Sequence, residues 1–149
     1  MFQISVSELS SWMKETLGDT TVAGTIEMYL LARDTVTMSH CIHGNNADLR
    51  TAASESDLLG WDSFIEGRIV KQWHTVAAPF LLSRSSAILP HFWARTLITK
   101  LHNIIHKQWI YRNSVIHFRG KDGWSLPEQH AIMSKVSEYS MIDPDTILP

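Results

Sequence analysis

The residues of this chain best suited to chemistry are Arg112, Asn113 and His117, which form an R-N-x-x-x-H string. A histidine titrates near neutral pH, so His117 is suited to accepting and returning a proton. Arg112 keeps its positive charge and presents a planar fork of N–H donors that matches phosphate oxygens. Asn113 could orient the imidazole or hold a ribose hydroxyl. This set fits metal-independent cleavage of a phosphodiester, because the arginine would stabilise the charge of the transition state.

The element that must position these residues is a long helix predicted over residues 90–118. Arg112 falls within its apolar arc, so we expect a buried guanidinium beside a partner such as Asp62 or Glu66, or beside a wet cleft. On an ideal helix Arg112 and His117 lie about 140° apart. They converge only if the helix distorts or if a second chain brings its own copy. Apolar residues recur along this helix at spacings of three and four: Phe92, Trp93, Leu97, Leu101, Ile104, Ile105, Trp109 and Ile116.

The R-N-x-x-x-H string in a helical chain resembles the signature of the HEPN superfamily. In that signature an arginine, usually followed by a polar residue, precedes a histidine by several positions. HEPN domains are helical bundles, and many are metal-independent ribonucleases that act as dimers with both motifs at the interface. The resemblance implies that Arg112 and His117 are the catalytic pair, that Asn113 supports them, and that the chain binds RNA as a homodimer.

A second resemblance covers about residues 55–120 and, more weakly, the region of Trp12. The order of its motifs looks like the region downstream of the reverse transcriptase in retroelement-derived proteins of algae and other protists. It implies a mobile element or a gene captured from one, and it leaves open a non-catalytic structural or protein-interaction module. No paired-aspartate polymerase motif is present, so no polymerase activity is inferred. The matching residues are Gly60-Trp61-Asp62, Phe64, Gly67-Arg68, Trp73, Trp93, Leu97-Ile98, Gln108-Trp109, Arg112-Asn113 and His117.

The net charge of −2 conceals three blocks of opposite sign. Residues 1–60 carry three basic residues against eight acids, residues 61–121 nine against two, and residues 122–149 one against five. The basic middle block is compatible with binding a phosphate polymer, although the acidic ends could instead pair with it inside one fold. The candidates for binding nucleic acid are Lys100, Lys107, Arg119, Lys121, His102 and His106.

The apolar content of 44% and the helical spacing of apolar residues predict an all-α fold. We expect one domain over 1–149, a bundle of about five helices around the long central helix. Residues 34–53, with Gly44-Asn45-Asn46, are expected to be loop-rich, and residues 140–149 to form a tail.

The helix boundaries follow from capping and breaking residues. Ser7 is expected to cap the first helix and Gly18 to end it, with a second helix from Thr20 or Thr21. Helical spacing returns at Ser56, interrupted by Gly60 and Gly67. The remaining boundaries are a polar break at Ser83–Ser86, a start at Pro90, an end at Gly120 and Gly123, and a last helix from Ser125 to about Tyr139.

Other kinds of site are weaker candidates. His102 and His106 are spaced for a metal on one helix face, and His40, Cys41 and His43 cluster in the expected loop, but neither set has an acidic ligand at helical spacing. We therefore expect no metal and no cofactor. Cys41 is a weak candidate nucleophile, and Arg84 could contact phosphate from its loop. One cysteine excludes a disulfide framework, and the absence of a long apolar run predicts an intracellular protein, cytoplasmic or nuclear, that is not in a membrane.

Overall fold

The computed structural model describes residues 1–118, 130–132, 134–135 and 138, except for the side chains of 115, 117 and 118. The described residues form an all-α helical bundle without strands, as predicted. Residues 1–118 contain six α-helices, where four were expected before the last helix, and a short 3-10 helix (Met38–Cys41). The α-helices are α1 (Phe2–Leu17), α2 (Thr20–Ala32), α3 (Ala47–Leu59), α4 (Trp61–Ile65), α5 (Gln72–Ser83) and α6 (Pro90–Phe118).

The chain divides into two compact units, Met1–Gln108 and Trp109–Pro149. In the first unit α1 packs against α2 and α5, and α3 packs against α5.

The single domain expected over 1–149 stays a prediction. The expected helix end at Gly120 and Gly123, most of the last helix with its cap at Ser125, and the tail lie outside the described residues. Within the described ranges, no helix is long and apolar enough to cross a bilayer.

The turn between α1 and α2 is fixed by one glycine and one aspartate. Gly18 ends α1 in the left-handed region (φ 65°), and its N–H donates to the carbonyl of Lys14 at 2.9 Å. The carboxylate of Asp19 accepts the backbone N–H groups of Thr21 at 3.0 Å and Val22 at 3.1 Å. These contacts satisfy orphan groups at both helix ends. The predicted end of the first helix and start of the second are confirmed.

The predicted N-cap at Ser7 is wrong, because α1 begins five residues earlier, at Phe2. Ser7 is exposed within the helix, while Phe2, Ser5 and Val6 already belong to its buried face. The buried polar residue Ser5 interrupts the apolar pattern at the start of the helix. The spacing of apolar residues that is typical of a helix therefore becomes clear in the sequence only some residues after the start of α1.

Residues 47–53, expected to be part of a loop, are instead helical and belong to α3. The side-chain oxygen of Asn46 accepts the N–H of Leu49 at 3.0 Å and caps the helix. Behind Leu49, the buried face of α3 consists of Ala52, Ala53 and Ser56. Small side chains contribute little to a hydrophobic period, so the sequence pattern did not reveal this helix.

The two glycines expected to interrupt the stretch after Ser56 do so. Gly60 ends α3 with φ 87°, and Gly67 follows α4 with φ 84°. The stretch therefore divides into the last turn of α3, the short α4, and α5, which ends at Ser83 where the polar break was expected. The start of α6 at Pro90 is also confirmed.

The core of the first unit is joined through the indole rings of its tryptophans. Trp12 on α1 stacks on Trp93 of α6, with centroids 5.6 Å apart and planes at 14°. The indole N–H of Trp93 donates to Thr16 Oγ1 at 3.0 Å. Trp73 is fully buried and donates to Ser56 Oγ at 3.3 Å, while Trp61 donates to the carbonyl of Tyr29. The indole nitrogens of Trp61, Trp73 and Trp93 thus each have a partner, which is what burial of an N–H donor requires.

We expect Gly18→Ala to lower the free energy of unfolding by about 1 kcal/mol, because alanine is strained at positive φ. A Cβ there would also displace the guanidinium of Arg84, which lies against this turn. The matched variant is Gly24→Ala inside α2, where a Cβ meets nothing within 4 Å. It should raise the free energy by about 0.5–1 kcal/mol, since alanine favours a helix. Denaturant titration of both variants checks the opposite signs, and a shared sign would contradict this account.

Candidate functional site

Arg112 is exposed, which corrects the expectation that it is buried in the apolar arc of the long helix. The buried stripe of α6 runs through Trp93, Leu97, Leu101 and Ile104 and stops there. Farther along the same arc, Trp109 is 61% and Ile116 55% exposed. A period of apolar residues shows which face of a helix is apolar. It does not show how far along the helix another element covers that face.

The guanidinium of Arg112 has no ion-pair partner among the described residues of its unit. The suggested partner Glu66 has the guanidinium of Arg68 at its carboxylate instead. Asn113, the next residue on the helix, is half-buried. Arg112 is thus a solvated cation, positioned by a regular helix and available to an anion.

The backbone of α6 is helical from Arg112 through His117, so it supplies no distortion that would bring the two residues together. At about 100° per residue, they leave the helix about 140° apart. The side chain of His117 lies outside the described residues. The direction of a regular helix alone therefore does not bring positions 112 and 117 together.

The candidate binding residue His102 has a structural contact. Its Nε2 lies 2.6 Å from the carbonyl oxygen of Glu66, and because a carbonyl only accepts, Nε2 carries the proton. The ring also lies so close to Gly67 that a Cβ at that position would meet it. His102 thus holds the turn after α4 against α6. His106, one helical turn further on, is exposed.

Lys100 and Lys107 lie on the side of α6 that faces α1. The ammonium of Lys100 lies over the ring of Trp12, 5.1 Å from its centroid. Lys107 Nζ lies 3.2 Å from Glu8 Oε2. Both lysines line a small cavity between α1 and α6. The other two basic candidates, Arg119 and Lys121, lie outside the described residues.

The ion pairs of the described residues bear on the alternative that acidic and basic blocks neutralise each other. The pair of Lys107 with Glu8 joins the basic middle block to the acidic first block. The pair of Lys14 with Glu27 lies within the first block, and that of Arg68 with Glu66 within the middle block. One of these three pairs crosses between blocks. Among the described residues, pairing between blocks thus involves one basic residue of the middle block, Lys107.

The group around Cys41 is built for structure. Cys41 is 1% exposed, and burial, reinforced by the negative charge of Asp57, raises the pKa of its thiol. The carboxylate of Asp57 accepts the backbone N–H of Met38 at 2.6 Å, which fixes the 3-10 helix. His40 is hydrogen-bonded through Nδ1 to Thr37 Oγ1 at 2.5 Å. A buried thiol with a raised pKa is a poor nucleophile, so this weak candidate finds no support.

No three His, Cys, Asp or Glu side chains in the described ranges come together as metal ligands. Arg84, considered as a phosphate contact, lies against Gly18 at the carboxyl end of α1. That position favours a cation, because the helix dipole is negative there.

Two residues near the lysines were missed at the level of sequence. Glu8 and Asn103 line the same cavity as Lys100 and Lys107. Asn103 carried a usable signal, because it lies three residues after Lys100 and four before Lys107, on the same helix face. Glu8 carried none, since its position depends on the packing of α1 against α6.

In comparisons with known proteins, the chain matches no protein-family model, no curated protein and no solved structure.

The burial of Cys41 leads to a chemical prediction. In the native protein at neutral pH, we expect the thiol to react with a disulfide reagent at least about tenfold more slowly than in the denatured protein, because it is buried and protonated. A colorimetric thiol assay, with and without denaturant, measures both rates. Equal rates would show that Cys41 is accessible and reactive, and would restore it as a nucleophile.

Proposed function

We propose that this chain is an RNA-handling helical domain that cleaves RNA without a metal ion, with Arg112, Asn113 and His117 contributed by the two chains of a homodimer. The observation that carries the proposal is the exposed Arg112, without an ion-pair partner among the described residues of its unit. A solvated arginine on a rigid helix binds phosphate at a low desolvation cost. The resemblance to the HEPN signature supports the same residues.

The chemistry follows from the residue types. His117 would take the proton from the ribose 2′-hydroxyl, whose oxygen attacks the adjacent phosphorus. The bond from phosphorus to the 5′-oxygen breaks, and an imidazolium returns a proton to that oxygen. Arg112 would stabilise the charge on the phosphoryl oxygens as they become more negative. Asn113 would orient the imidazole or the ribose. The products are a cyclic phosphate and a 5′-hydroxyl, so no metal or cofactor is required.

The homodimer is part of the proposal because of the helix geometry. On a regular helix, positions 112 and 117 lie about 140° apart. Two helices that cross near these residues would set the arginine of one chain beside the histidine of the other. The exposed apolar side chains Trp109 and Ile116 lie within about 60° of Arg112 around the helix and are suited to such a contact.

A second candidate function is a non-catalytic interaction module derived from a retroelement protein. The observation that favours it is a set of exposed apolar side chains around this part of α6: Trp109, Ile110, Tyr111 (45% exposed) and Ile116. Exposed aromatic and aliphatic side chains are enriched at protein interfaces. In this alternative Arg112 would be an interface arginine, and RNA would not be cleaved.

The catalytic proposal predicts that the purified protein cuts single-stranded RNA in the presence of EDTA. Arg112→Ala and His117→Ala should each lower the rate by about a hundredfold or more, since each removes a group that acts in the transition state. The matched control is Arg95→Ala. Arg95 is another exposed arginine of α6, and its loss should change the rate by less than about threefold. Labelled RNA resolved on denaturing gels gives the rates.

Thermal unfolding of each variant establishes that it is folded. Equal cleavage by the wild type and all three variants would indicate a contaminating nuclease and would refute the proposal. Absence of cleavage by a folded wild-type dimer would favour the interaction module instead.

Dimerisation predicts a mass in solution of twice the 17.0 kDa of the chain. Ile116→Glu should shift the dimer to monomer by about tenfold or more, because a buried unpaired carboxylate is costly. Leu58→Glu is the matched control, since Leu58 is an 88% exposed residue of another helix, α3. Light scattering over a range of protein concentrations measures the shift. A monomeric wild type, or equal effects of the two substitutions, would contradict this interface.

A further inference from the structure

The cavity between α1 and α6 combines basic and amide side chains, which are types suited to binding a phosphate group. It has a volume of about 80 Å³ and is lined by Ser5, Glu8, Leu9, Lys100, Asn103, Ile104 and Lys107. This small, partly open cavity offers a place for a group of the size of a phosphate. Its basic and amide side chains supply N–H donors, and Leu9 and Ile104 close its floor as buried apolar residues.

The donors come from one face of α6. Lys100, Asn103 and Lys107 lie within an arc of about 60° at the spacings i, i+3 and i+7. One rigid helix therefore holds two ammonium groups and an amide on the same side. Their relative positions are set before any ligand arrives, which lowers the cost of binding.

A carboxylate already lies at this cluster. Glu8 Oε2 is 3.2 Å from Lys107 Nζ, and the two side chains are 62% and 51% exposed. An ion pair this exposed is weak and opens readily. Lys100 has no carboxylate partner in the described part of the chain and lies over Trp12 instead. The single carboxylate thus leaves the cavity with a surplus of one positive charge.

We propose that this cavity is a binding site for a phosphate group and that Glu8 occupies it in the free protein. A phosphate carries up to two negative charges and several acceptor oxygens. It can contact Lys100, Asn103 and Lys107 together, whereas Glu8 reaches Lys107 alone. The phosphate displaces the carboxylate from Lys107, and Glu8 sets the affinity by competing with it. The ligand is either a free phosphate group or a phosphate of an RNA backbone, and only the second rests on the proposed function.

Inorganic phosphate is the probe for the first experiment. Amide chemical shifts of the full chain are followed by NMR while phosphate replaces chloride at constant ionic strength. Glu8→Gln should tighten phosphate binding by about threefold or more, because it removes the competing carboxylate and keeps the shape. Lys107→Gln and Asn103→Ala should each weaken binding by about threefold or more, and the asparagine variant does so without changing the net charge.

Lys71→Gln is the matched control, because Lys71 is exposed and lies at the start of α5, outside the cavity. It should leave phosphate affinity within about 1.5-fold of the wild type if binding is local. Equal affinity in the wild type, Glu8→Gln, Lys107→Gln and Asn103→Ala would overturn the site. A loss in Lys71→Gln equal to that in Lys107→Gln would also overturn it, since it would indicate diffuse electrostatic attraction.

The second experiment repeats the variants with labelled single-stranded RNA in a fluorescence anisotropy assay. If the cavity receives the RNA backbone, Glu8→Gln and Lys107→Gln shift RNA affinity in the same directions, and inorganic phosphate competes. Unchanged RNA affinity beside altered phosphate binding assigns the cavity to a free phosphate group. The proposed function is judged separately, by the cleavage rates of the Arg112 and His117 variants, so either proposal can fail alone.

Discussion

The packing of Trp93 on Trp12 is the interaction on which the first unit depends. It stacks two indoles and anchors one of them to Thr16 by a hydrogen bond, which fixes the rotation of α6 against α1. Lys100 and Lys107 follow Trp93 at intervals of seven residues. On a straight α-helix, a step of seven residues falls about 20° short of two full turns. Each successive residue of this row therefore lies farther from the core. Trp93 is buried, Lys100 half-buried and Lys107 exposed in that order, and the lysines line the edge of the interface.

Several polar and titratable side chains of the first unit hold the backbone in place. Asp57 caps the 3-10 helix, His102 binds a turn carbonyl, and Arg84 lies at the end of α1. These contacts satisfy polar groups that would otherwise lack partners. Residue type alone therefore overestimates the number of functional side chains. The candidates that remain are exposed or weakly paired cations. Arg112 is exposed, Lys100 has no carboxylate partner in the described part of the chain, and Lys107 has only an exposed ion pair with Glu8.

The sequence predicted those parts of the fold that depend on local backbone chemistry. Gly18 required a left-handed turn and Pro90 suited a first helical turn, so these boundaries could be placed without knowledge of packing. It missed α3, whose buried face is mainly alanine and serine and carries little hydrophobic signal. It was also wrong about the burial of Arg112, because burial depends on what covers the helix. The contact of Glu8 with Lys107 joins residues 99 positions apart and leaves no local pattern at all.

On the proposed function, Arg112 and the apolar residues beside it make opposing demands on a dimer. Burying Trp109 and Ile116 at an interface favours association, because apolar surface leaves water. Bringing two copies of Arg112 together opposes it, since each guanidinium loses water and repels the other. A phosphate placed between the two arginines removes that repulsion and supplies acceptors to both. Anything that binds the dimer better than the monomer also strengthens association. In this proposal, Arg112 would therefore couple RNA binding to dimerisation: it would stabilise the reaction and would also limit the pairing of two chains without RNA.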